Sequence, residues 1–116
     1  AFYGDPAFDL AFCLNHLLLK CLWHPAAQSG LLRCFEALKD TYSSLVDWEP
    51  AAHIEERAAR LLPGLFLARI DGKSPVEYIT ADADRQMVRR TARALLIAPV
   101  SRLSSVADAW ATTLRS

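Results

Sequence analysis

The chain has 116 residues, a size for one domain able to bury a usable core. Its 53% hydrophobic and 22% charged content excludes a disordered segment, and 4 glycines with few β-branched residues favour helix. Lys plus Arg and Asp plus Glu number 13 each, so no net field draws the chain onto nucleic acid or an anionic membrane.

In chain order, the first predicted helix runs from about Pro6 to Leu22. Asp5 is suited to accept first-turn amide hydrogens, and Pro6 takes the first helical position, where its missing donor costs nothing. Phe8, Leu10, Ala11, Leu14, Leu17, Leu18, Cys21 and Leu22 form a wide apolar stripe that predicts burial against more than one neighbour. Asp9, Cys13, His16 and Lys20 share one polar face, since their spacings of four, three and four return to the same side of a helix.

His24-Pro25 breaks the pattern, and Pro25 is suited to open a second helix. That helix continues inward through Leu31, Leu32, Phe35, Leu38, Tyr42 and Leu45 before Asp47. Pro50 opens a third, carrying Ile54, Ala58, Leu61, Leu62, Leu65 and Phe66, with a kink or short break expected at Pro63-Gly64. Asp71-Gly72-Lys73 reads as a turn. Ser74-Pro75-Val76-Glu77 has the spacing of a capping box, which predicts a short helix through Tyr78. A fourth main helix covers about Asp82 to Ala98, with Met87, Val88, Ala92, Leu95 and Leu96 inward and Arg85, Arg89 and Arg93 outward. The last starts near Ser105, where Ser105 to Asp108 again fits a cap, and carries Val106, Trp110 and Leu114. No repeat or linker divides the chain, which reads as a single all-α unit of about five helices spanning residues 1–116.

Cys13, Cys21 and Cys34 are odd in number, lack CxxC pairing and fall in apolar helical patterns. They are expected to be buried, reduced thiols of a cytoplasmic protein. A zinc site from Cys13, His16 and Cys21 lacks a fourth ligand and the right turn for Cys21. No secretory signal is expected, because Ala1 to Phe12 carries Asp5 and Asp9 without a basic start. Lys20 and His16 interrupt the first apolar helix, so no membrane span is expected.

Tyr3-Gly4-Asp5-Pro6-Ala7-Phe8-Asp9-Leu10-Ala11 resembles the Gly-Asp-Pro-x-x-Asp-Leu-Ala element of the aminoglycoside phosphotransferase and choline kinase-like family, which has a protein-kinase-like fold. Ala68-Arg69-Ile70-Asp71-Gly72-Lys73-Ser74-Pro75-Val76-Glu77-Tyr78 resembles a second segment of bacterial phosphotransferases in that group, in the expected order. The resemblance covers nearly the whole chain as the C-terminal helical subdomain of the C-lobe. A start at Ala1, within a few residues of the motif, fits the expectation of a piece of a longer protein. The parent is then expected to be a kinase using ATP and Mg2+ to phosphorylate an alcohol group on a small-molecule acceptor. Its catalytic His-x-Asp loop and metal-binding aspartate would lie upstream, in the missing N-terminal part of the same polypeptide. This piece alone is expected to be inactive, with no catalytic residue and no bound cofactor or metal of its own.

The resemblance implies that Asp9 accepts hydrogen bonds from the catalytic-loop backbone and holds that loop in shape. The plainer reading of Asp9 is a first-turn carboxylate favoured by the helix dipole. Asn15, His16 and Lys20 are candidate acceptor-binding residues because they follow Asp9 on one helix. Arg69 and Asp71 are candidates from the second segment, with Lys73, against a reading as a solvated turn or ion-pair brace. Asp47-Trp48-Glu49 copies the letters that accompany the family's metal aspartate. It follows the Gly-Asp-Pro motif instead of preceding it, so it reads as a helix-terminal turn with Trp48 packed. Arg85, Arg89, Arg90 and Arg93 read as a solvated face and not as a nucleic-acid surface. The alternative for the whole chain is a self-standing helical binding module. It predicts no large exposed apolar face on the first helix, whereas the kinase reading predicts one near residues 3 to 18.

Overall fold

The computed structural model describes residues 6–47, 49–71 and 82–115, and among them the fold is all-α, with no strand. Helix α1 spans Pro6–Trp23, α2 Gln28–Leu45, α3 Ala51–Asp71, α4 Asp82–Ile97 and α5 Leu103–Arg115. The prolines set most of the boundaries. Pro6 opens α1, which closes where His24 N donates to Lys20 O at 2.9 Å, and Pro25 begins a 3-10 turn, Pro25–Ala27, instead of α2 itself. Ala27 offers α2 no side-chain cap. Gln28 instead donates its Nε2 hydrogen to Cys21 O at 3.3 Å, tying the start of α2 to the end of α1.

Pro50 precedes α3, and a two-pronged ion pair from Arg57 to Glu49, at 3.0 and 2.9 Å, clamps that start. Asp47-Trp48-Glu49 thus spends its glutamate on an ion pair, while Trp48 lies outside the described residues. The break expected at Pro63-Gly64 is absent: α3 runs through Pro63 unbroken. The ring removes one amide donor, but Ala58, Ala59 and Leu62 before it and Phe66 after it are all buried, so packing holds both halves on one course. Helix α5 starts at Leu103, ahead of the expected Ser105 cap. Its first amide is satisfied from another helix, Leu103 N donating to Glu55 Oε2 of α3 at 2.8 Å.

The core gathers Leu10, Leu14, Leu18 and Leu19 of α1, Phe35 of α2, Ile54, Leu62 and Phe66 of α3, Val88 and Leu95 of α4, and Leu103, Val106 and Trp110 of α5. Helix α1 packs on both α3 and α2, as its wide apolar stripe predicts, and α3 also carries α4. Trp110 is fully buried where three helices meet. Its Nε1 donates to Leu18 O of α1 at 2.8 Å and its ring meets Phe66 of α3 edge-on, centroids 4.9 Å apart. Such an aromatic pair contributes about 0.5–1.5 kcal/mol beyond its buried area. Thr91 and Thr113 join α4 to α5 by a hydroxyl hydrogen bond of 2.7 Å.

Several expected core positions face water: Phe8, Leu38, Leu45, Leu61 and Leu96 are exposed. Leu45 is the last residue of α2, and Leu96 lies in the last turn of α4; among the described residues no neighbouring element covers either. Of the cysteines, only Cys21 is buried; Cys13 and Cys34 are exposed, against the expectation for all three. Tyr3 to Asp5, Lys73, and the capping box and short helix of Ser74 to Tyr78 lie outside the described residues.

Candidate functional site

The sequence motif points to the first turns of α1, and the structure makes that side of the helix its outer face. Asp9 is exposed in the first turn, with no partner among the described residues, where the N-terminal end of the helix dipole favours its charge. Beside it runs an aromatic row with one member per turn. Phe8 stacks on Phe12 with centroids 6.2 Å apart at 22°, and Phe12 meets the His16 ring edge-on at 4.8 Å. Phe8 is 45% and Phe12 41% exposed, and Cys13 and Lys20 flank the row in solvent. The signal that could have found the row is the Phe8, Phe12, His16 spacing of four and four, which places all three above one another.

His16 is oriented by its own helix. Its Nδ1 lies 2.9 Å from Phe12 O, and because a carbonyl only accepts, Nδ1 is the donor, which leaves Nε2 turned away from that bond. Lys20 stands in the last turn, where a cation complements the carbonyl end of the dipole. The structure thus brings Asp9, His16 and Lys20 onto one face, as their spacing predicts.

Asn15 does not join them. One residue before His16 and about 100° round the helix, it is fully buried, and among the described residues neither its amide nitrogen nor its oxygen has a hydrogen-bond partner. It faces the core among the described residues. Cys21 also faces inward: burial pushes its thiol pKa up, opposed by hydrogen bonding from Trp110, and its Sγ lies 3.7 Å from Leu17 O. Cys21 therefore does not share a side with Cys13 and His16. Arg69 sits in the last turn of α3, away from the α1 row in the chain, with its Nε buried and without a hydrogen-bond partner among the described residues. Asp71 ends that helix, and its side chain lies outside the described residues.

Two open clefts lie elsewhere, and neither includes a residue singled out by the motif. The first, about 570 Å³, is bounded by Ser43, His53, Glu55, Glu56, Ser101 and Arg102, with Glu55 already committed to capping α5. The second, about 530 Å³, lies between α2 and α5 and mixes Arg33 with Glu36, Asp40 and Asp108. Among the described residues no three His, Cys, Asp or Glu side chains converge on a point that would suit a metal ion. Among them, too, no helix is long and apolar enough to cross a membrane. No protein-family model matches this chain, and no curated protein or solved structure does.

Proposed function

We propose that this chain is the C-terminal helical subdomain of an ATP- and magnesium-dependent small-molecule phosphotransferase, in which α1 supports the catalytic loop and helps to wall the acceptor site. The observation that carries this reading is the outer face of α1. Two stacked phenylalanines stand half in water beside a carboxylate with no partner among the described residues. By the resemblance of Gly4-Asp5-Pro6 to Leu10-Ala11, this is the turn against which a catalytic loop packs. The alternative, a self-standing helical binding module, predicts no large exposed apolar face on this helix.

In this reading Asp9 accepts backbone amide hydrogens from the loop, and Phe8 and Phe12 keep water from the contact. A carboxylate suits that task because its two oxygens take several charge-assisted hydrogen bonds at once. His16 and Lys20 continue the face toward the acceptor side. Asn15 is withdrawn from that role by its burial.

The described residues do not fit ATP or Mg2+ by themselves. Asp9 is a lone carboxylate, and the chain's glycines, Gly4, Gly30, Gly64 and Gly72, are too scattered to form a phosphate-cradling loop. Nucleotide and metal are assigned to the upstream part of the parent, and no step of transfer is derived through them. Neutral overall charge gives no support to a nucleic-acid or membrane partner.

The test begins with the coding sequence upstream of Ala1, which should contain a His-x-Asp and then a metal-binding aspartate ahead of Gly4-Asp5-Pro6. The full-length protein, given ATP, Mg2+ and a panel of hydroxylated acceptors, should transfer phosphate. Asp9→Ala should lower its kcat by about 10- to 100-fold, the usual cost of removing a group that orients another, with KM little changed. An upstream sequence without those motifs overturns the enzyme assignment, and a wild-type kcat in the variant overturns the role of Asp9.

A further inference from the structure

We draw no further inference here: the strongest candidate, the exposed Phe8, Phe12 and His16 row on the outer face of α1, belongs to the site already described, and nothing in the structure shows what else covers it.

Discussion

The inner and outer faces of α1 draw on the same apolar alphabet and meet opposite surroundings. Inward, Leu10, Leu14, Leu18 and Leu19 are sealed against α2 and α3, and a backbone carbonyl of the helix receives the Trp110 indole hydrogen. Outward, among the described residues, Phe8 and Phe12 stack along their own helix, beside carboxylate, thiol and ammonium groups in solvent. The number of apolar residues on a helix thus does not fix how many it buries within its own chain. Neighbours set that limit, and what exceeds it is available for contact with something else.

The largest effect is expected on the inner side. Trp110→Ala removes the ring that joins α1, α3 and α5, and should cost about 3–5 kcal/mol, read as a lower urea midpoint. A midpoint shift under half that size would mean the junction is not where the fold is held. Asn15→Leu should move stability the other way, by about 1–3 kcal/mol, because it exchanges a buried, unpartnered amide for an apolar group of similar branching. Chemical denaturation measures the gain. A loss on this substitution would show that the amide finds partners in solution.

Smaller still is the effect expected at the start of α5. Glu55→Ala strips the carboxylate from the Leu103 amide and should cost about 1 kcal/mol, the usual worth of an N-terminal cap. Amide hydrogen exchange should rise first at the start of α5 if the cap acts locally. The double substitution Phe8→Ser with Phe12→Ser should sharpen the contrast by leaving stability within about 0.5 kcal/mol, as surface changes do. It should also lower the fluorescence of a hydrophobic dye bound to the chain. A large fall in stability would place those rings in the core.

Where the sequence was readable, the reason was backbone chemistry. Pro6, Pro25 and Pro50 mark the ends of helical stretches because a missing donor and a fixed φ act locally, whatever the rest of the chain does. Pro63 misled for the complementary reason: one lost donor is a small local cost, outweighed by buried residues on both sides of it. Ser105 had the spacing of a cap, yet Glu55, distant in sequence, took the position two residues earlier. Such a substitution is invisible to any pattern read within a short window.

The candidate site shows the same division. Helical spacing correctly grouped Asp9, His16 and Lys20, because a common face is a property of one helix. It could not separate Phe8 from Leu10, since which apolar residues lie within reach of α2 and α3 is decided by tertiary packing. Nor could it find Asn15 turned inward, or Cys13 and Cys34 turned outward. Each required knowing where a second helix lies.

The carboxylate of Glu55 on the first amide of α5 also bears on how the chain assembles. The bond spans 48 positions in sequence, so the first turn of the last helix gains this cap only once α3 lies alongside it. Closing so long a loop costs entropy before the contact returns any free energy. The N-terminal turn of α5 should therefore become protected late in refolding, after α3 has formed.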